Sequence, residues 1–365
     1  MATLRESPSG DSRRVAIWVG LSDSLYLSYN SEAMKKKYDL VCVGDVVMDA
    51  FITLQEASVR WDKKREHAEL CMSFGDKIPY KSLLVTPAVG NPSNVVVGAA
   101  RLGLRTAIVT AVGGDHYGGE ILDLYRKERV GTEFVKVNQS KPTNYHFVLT
   151  YQAERTILIK HQEYEYVDPG ALDGKTEWIY FSSLGEHSMP YHRKLAEYLK
   201  AHPKIRMGFN PNTYQIRFGA KKLKDIYRNT YVLFVNREEA EIVAGTRNSA
   251  IKALFAKLHK LGPKIVVITD GPKGAYASDG LGQWFMPPYP DPKPPVSRTG
   301  AGDAFSTGFF AALIYGLPVH EALRWAPIES MHVVQFFGAQ AGLLTKPKLL
   351  QLLKKAPKNY KAKAI

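Results

Sequence analysis

The chain has 365 residues, 45% of them hydrophobic and 23% charged; this supports a large core in one or two domains, and no apolar run reaches membrane-spanning length. Cys42 and Cys71 are too few for a disulfide framework, and the run Val15 to Leu21 behind Arg13 and Arg14 is broken by Gly20, so a cytoplasmic location is expected. The net charge of +14 suits polyanionic ligands; no nucleic-acid motif accompanies it, so nucleic acid is not an expected partner.

Residues 1–37 show no periodicity and read as a poorly ordered, dispensable tail, with Met34 to Leu40 looking like a natural start. Leu40 to Val43 is an apolar run closed by Gly44, as in a buried parallel strand, and the stretch around Phe51 to Leu54 alternates as a strand of a second kind. Residues 55–88 mix charged and aromatic side chains without helical period. Small residues from Val95 to Leu102 then suit a helix, and Thr106 to Val112 is another buried strand. His116, just beyond it, reads as an exposed loop histidine. Tyr145, Phe147, Leu149 and Tyr151 alternate, followed by Thr156 to Ile159, as in a hairpin turning at Ala153, Glu154 and Arg155.

From Trp178 strand and helix alternate: strands at Trp178 to Ser182, Ile205 to Asn210, Tyr231 to Asn236 and Ile265 to Thr269; helices from about Pro190, around Leu223, from Glu238 and from Ser249. This predicts an α/β doubly wound, mostly parallel sheet flanked by helices, with ligands at the carboxyl ends of strands, where Asn210, Asn236 and Thr269 stand. Asn236 to Glu239 also fits an ordinary capping box, and Thr269 to Gly274 an ordinary strand turn. Gly174 to Thr176 is no P-loop, because Pro169 stands where its first glycine belongs.

The stretch Val296 to Gly316 joins a glycine turn, a carboxylate and a helix start. Phe305, Phe309, Ala312 and Leu313 recur at helical spacing, and Gly316 and Pro318 supply the stop. Gly300, Ala301 and Gly302 form an entrance whose unpaired N–H groups and dipole attract anions, a phosphate above all. An acidic Asp303 at such an entrance either caps the helix or takes a proton from an alcohol attacking phosphorus. Seven lysines from Lys346 to Lys363, with no acid among them, read as a solvated basic tail over 345–365.

The run Thr299 to Phe309 resembles the C-terminal signature DTxGAGD of the ribokinase-like (PfkB) carbohydrate kinases, and four weaker matches precede it in family order: Asp49, Gly90 to Asn94, Asn236 to Glu239 and Thr269 to Gly274. The resemblance implies a kinase domain over 38–344, with a small β-strand lid from about 50–88 and 141–165 that excludes water as a competing acceptor. It implies ATP and Mg²⁺ as cofactors and phosphoryl transfer to a hydroxymethyl group of a sugar, with Asp303 as general base and Gly300, Ala301 and Gly302 around the developing charge.

By the same resemblance Asp49, Gly90, Asn91 and Asn94 bind the acceptor, Asn94 through an amide able to donate and accept at once. Asn236, Thr269, Gly271 and Gly274 bind nucleotide, and Glu239 serves the metal through water. Residues 326–342, with Gly338 to Gln340, resemble the helix and loop that close beside the nucleotide. Val89 replaces a family glycine, Glu329, Met331 and His332 replace Asn and small residues, and Ser297 and Arg298 replace the Asp and Thr of the signature. The missing Asp argues against monovalent-cation activation. One alternative is an adenosine-like nucleoside kinase, with Tyr80, Tyr145 or Phe147 stacking a base. Another is a catalytically silent homologue binding nucleotide or nucleic acid; open lid edges could also pair in a homodimer.

Overall fold

The computed structural model describes residues 37–62, 68–152 and 154–365, and residues 38–365 form one compact unit. The expected N-terminal tail therefore lies outside the described residues, except for Lys37.

The main sheet opens with β1 (Leu40–Val43). A second, four-stranded sheet occupies the segments expected as a lid and is called the lid for that reason: β2 (Val47–Leu54) leads to the small hairpin of β3 (Ser58–Trp61) and β4 (Ala68–Cys71), then to β5 (Tyr80–Val89). After α1 (Asn91–Arg101), β6 (Thr106–Gly113), α2 (His116–Lys127), β7 (Val130–Gly131) and β8 (Val135–Asn138), the chain returns to the lid as β9 (Tyr145–Tyr151) and β10 (Glu154–Leu158). The lid order is β10–β9–β2–β5. His116 opens α2 rather than sitting in a loop, although it is exposed as expected. Glu154 pairs with Tyr151, so Glu154 and Arg155 belong to β10 and the hairpin turns earlier than expected, at Gln152 in a positive-φ conformation.

The remaining elements wind the main sheet: β11 (Trp178–Phe181), α3 (Met189–Ala201), β12 (Arg206–Phe209), α4 (Thr213–Lys222), α5 (Lys224–Arg228), β13 (Thr230–Asn236), α6 (Arg237–Val243), α7 (Ile251–His259) and β14 (Ile265–Thr269). Leu223, expected within a helix, is the junction between α4 and α5. From β14 through β13, β12, β11, β1 and β6 every pairing is parallel, and antiparallel β15 (Ala275–Ser278) and β16 (Gln283–Met286) extend the sheet beyond β14. Strand alternation divides the core. Leu40, Cys42, Tyr180 and Val267 face α1 and the later helices α8 (Ala301–Ile314) and α9 (Val319–Val333); Val41, Ile179, Phe181 and Leu233 face α3, α5 and α7.

The segment 345–365, expected as a solvated tail, is built into this unit. Its α10 (Lys346–Lys354) buries Leu349, Tyr360 is 3% exposed, and β17 (Lys363–Ala364) pairs with β16. Leucines at helical spacing supply the apolar face that the lysines disguise in the sequence.

Candidate active site

The anion-attracting entrance forms because α8 starts at a residue that only glycine can supply. Gly300 is the N-cap at φ 80, and a Cβ there would lie 2.5 Å from that of Ala339. Of the first-turn amides, Ala301 N donates back to Arg298 O at 3.4 Å, while those of Gly302 and Asp303 find no backbone acceptor among the described residues. Asp303 is not the cap. It stands in the first turn, 9% exposed, with its carboxylate tied to α1: Asn91 Nδ2 donates to Oδ1 at 2.9 Å and Asn94 Nδ2 to Oδ2 at 2.7 Å.

Burial raises the Asp303 carboxyl to about 6, against the lowering effect of the two amide hydrogen bonds and with a further push from the Glu239 charge. Asn94 is 4% exposed and absent from the cavity linings, its Nδ2 turned to Asp303 and its Oδ1 accepting from Gln340 Nε2 at 3.0 Å. The expectation that Asn94 binds sugar hydroxyls thus gives way to a positioning geometry. Asn91 remains at the cavity wall, where its Oδ1 accepts from Ser183 Oγ at 2.7 Å. Gly90, at φ 109, makes the turn before α1, and a Cβ would meet Asp45 O at 2.9 Å; Val89 in place of a glycine costs nothing here because it closes β5 as a buried strand residue.

Among the described residues, three cavities lie end to end, with Asp303 in the middle one. The first, about 430 Å³, is lined by Thr269, Gly271, Gly274, Arg298, Ala301 and Gly302. A narrow junction of about 130 Å³ follows, bounded by Asn91, Asn236, Glu239, Thr269, Gly302 and Asp303. Beyond Asn91, Asn210 and Glu239 it opens into a third space of about 370 Å³ under the lid, where Asp49, Gly90, His146 and His161 stand. Asn236 and Glu239 form a complete capping box, Asn236 Oδ1 accepting from Glu239 N at 2.8 Å and Glu239 Oε2 from Asn236 N at 2.9 Å. That box leaves Glu239 Oε1 for the junction, and burial raises its carboxyl.

The pfkB family carbohydrate kinase profile matches residues 39–346, and the chain is 30% identical over 275 residues to the ribokinase of Bacillus subtilis (strain 168), covering 72% of this chain and 87% of that one. This chain is a pfkB-family carbohydrate kinase. It is accordingly an ATP-dependent phosphotransferase with an alcohol group as acceptor. A nucleoside kinase of Methanothermobacter thermautotrophicus is 26% identical over 265 residues, 70% of this chain and 80% of that one. An E. coli protein assigned as ribokinase II, solved in complex with ATP and Mg²⁺, shares the fold at a TM-score of 0.70 and 18% identity, covering 87% of this chain and 99% of that one.

For a pfkB kinase the departures noted in the sequence are now located. Met331 lines the first cavity with Pro327 and Ser330, whereas Glu329 turns away into the α8–α9 contact and His332 Nδ1 bonds Gly342 O. Gln340 does not reach the first cavity; it holds Asn94 and Ala88 O. Tyr80, Tyr145 and Phe147 are absent from the third cavity's lining. Asp49 pairs with His146 across the lid, so strand alternation turns Tyr145 and Phe147 to the opposite face.

Sequence reasoning passed over Asp45, His146 and His161. Asp45 is 1% exposed and accepts from Gly185 N at 2.8 Å, from Tyr166 Oη and from His161 Nδ1 at 3.0 Å. Its place directly after the glycine that ends β1 was the available signal, since sites collect at the carboxyl ends of parallel strands. His146 was readable as the inward residue between two outward aromatics. His161, beyond β10, carried no such signal.

Proposed function

We propose that this kinase transfers the γ-phosphoryl group of Mg·ATP to a hydroxymethyl group of a sugar, with ATP in the first cavity and the acceptor in the third. The observation that carries the reading is Asp303, a buried carboxylate placed where the two cavities meet, beside open helix-start amides. Asp303 takes the acceptor's hydroxyl proton as that oxygen attacks phosphorus, and the Gly302 and Asp303 N–H groups, with Gly300 and Ala301 shaping the turn, stabilise charge on the phosphoryl oxygens. A carboxyl titrating at about 6 is matched to proton transfer near neutral pH. Asp49, Gly90 and Asn91 hold the acceptor, while Thr269, Gly271 and Gly274 border the nucleotide, and Asn236 orients Glu239.

Glu239 Oε1 suits Mg²⁺ held through water. Mg²⁺ keeps several waters and shares phosphate oxygens, and among the described residues no group of three His, Cys, Asp or Glu forms a cage for it. When bound, the ion neutralises charge on the phosphates. Arg298 lines the first cavity with no ion-pair partner among the described residues, so its guanidinium supplies positive charge where Ser297 offers no carboxylate for a monovalent cation.

Cytoplasmic residence is supported by two free cysteines, Cys42 and Cys71; no helix among the described residues is long and apolar enough to cross a membrane. A homodimer through the lid is supported by its outer face, where Leu83, Val85, Phe147 and Leu158 are exposed together.

The test is ADP release from Mg·ATP against sugars, sugar phosphates and nucleosides, with Asp303→Asn in parallel. Acceptor-stimulated turnover should fall by about 10² to 10⁴ in the folded variant. Full turnover in that variant refutes the base assignment, and a folded, ATP-binding wild type with no stimulated turnover points to a catalytically silent homologue.

A further inference from the structure

The third cavity holds more hydrogen-bonding capacity than the transferred hydroxyl can use. His161 Nδ1 lies 3.0 Å from the buried Asp45 carboxylate, which therefore fixes the proton on Nδ1 and leaves Nε2 as an acceptor with no partner among the described residues. His146, 9% exposed, packs its ring 5.2 Å from that of His161, and its Nε2 is buried with no hydrogen-bond partner among the described residues. Asp49 Oδ1 is likewise buried and accepts no hydrogen bond among the described residues, with His146 Nδ1 standing off at 3.6 Å. Two of these atoms, His146 Nε2 and Asp49 Oδ1, are buried and unsatisfied, which is costly unless a ligand fills them, and His161 Nε2 adds a third acceptor on the same wall.

The chemistry of that wall selects the ligand. Asp45, Asp49 and Glu239 border the cavity, and no Lys or Arg does so among its lining residues. Arg155, whose charge reaches Asp49 from β10, lies outside the lining. An acidic, acceptor-rich wall welcomes hydroxyl donors and repels a second phosphate or a carboxylate on the substrate.

We propose that Asp45, His161 and His146 form the specificity element of the acceptor site, reading hydroxyl groups remote from the one phosphorylated and restricting the enzyme to neutral, unphosphorylated polyhydroxy acceptors. This rests on the assignment of the third cavity to the acceptor. His161 and His146 act on binding, not on the transferred proton, which belongs to Asp303. Removing either ring weakens acceptor binding while leaving turnover at saturation and the KM for ATP nearly unchanged.

The experiment reads binding and turnover separately. Free aldoses and ribonucleosides, each beside its monophosphate and, for the aldoses, the corresponding aldonate, are titrated by calorimetry and assayed for ADP release. The proteins are wild type, His161→Ala, His161→Gln and His146→Gln, each checked for native melting. The expected result is that a free member binds at least tenfold more tightly than its phosphate or aldonate, with KM raised at least tenfold in His161→Ala and kcat held within about threefold. His161→Gln, which keeps an acceptor near Nε2, recovers part of the affinity. Preference for a charged member, absence of binding by every free member, or unchanged affinity in folded His161 and His146 variants overturns the proposal. Histidine-dependent binding of a free member without ADP formation in wild type sustains it and refutes the kinase reading of the site instead.

Discussion

Asn94 and Asp303, 209 residues apart in sequence, meet at 2.7 Å, and the amide that donates to Asp303 Oδ2 is itself gripped by Gln340 at 3.0 Å. This series of buried amides fixes the Asn94 orientation, so its NH₂ faces the carboxylate permanently. Asn94→Ala removes one of the bonds that lower the Asp303 carboxyl. The acid limb of the kcat profile should therefore move to higher pH, with kcat reduced about tenfold or more at pH 7 and the acceptor KM little changed. An altered KM with an unmoved limb would mean that Asn94 serves the acceptor.

Two carboxyls near the reaction path titrate at about 6, Asp303 in the junction and Asp49 in the third cavity, both raised chiefly by burial. A general base works only when ionised, so activity should be full above about pH 7 and fall as pH drops through 6. At saturating acceptor the fall should follow one proton. In kcat/KM for the acceptor it should steepen towards two, and Asp49→Asn should return it to one while raising KM. Rate profiles of the two proteins from pH 5 to 8 check this.

Much of the scaffold was readable because it is written in local signals. Leu40 to Val43 and Ile265 to Thr269 are apolar runs of strand length, and the spacing of Phe305, Phe309 and Ala312 marked α8 before any contact was known. Partner choice was not local. Asn91 and Asn94 look like a loop-to-helix pair in sequence; only α1 lying beside α8 turns them onto Asp303, and only the loop after α9 brings Gln340 behind them. Tyr145 and Phe147 misled for the opposite reason: their chemistry suggested base stacking, but register, which composition does not reveal, faced them outward.

Glu329 provides a stability test distant from the reacting groups. It is fully buried in α9; Oε2 accepts from Leu344 N at 3.3 Å, Oε1 has no hydrogen-bond partner among the described residues, and burial raises the carboxyl from 4.5 to about 8 despite the Arg101 charge. A folded-state pKa above the unfolded one contributes stability that is complete below about pH 4.5 and is lost as pH rises through 8. The loss across that window should approach about 1.4 kcal/mol per pH unit, and Glu329→Gln should abolish this component. Urea melts of both proteins at pH 5, 7 and 8.5 should show a gap that widens with pH in favour of the variant.

The lysine-rich C-terminus distinguishes a solvated tail from a structural element. Leu349 is wholly buried, Tyr360 Oη donates to Arg324 O at 2.6 Å, and β17 covers the edge of β16. Emptying one buried leucine site typically costs about 2 to 5 kcal/mol, so deleting residues 346–365 should lower Tm by well over 5 °C and leave β16 open to association. Replacing the seven lysines by glutamine removes the charge but keeps the leucines, and should move Tm by only a degree or two. If the deletion melts like wild type, the packing of α10 contributes nothing and the segment is a tail after all; if the glutamine variant melts like the deletion, the lysines, not the leucines, hold it in place.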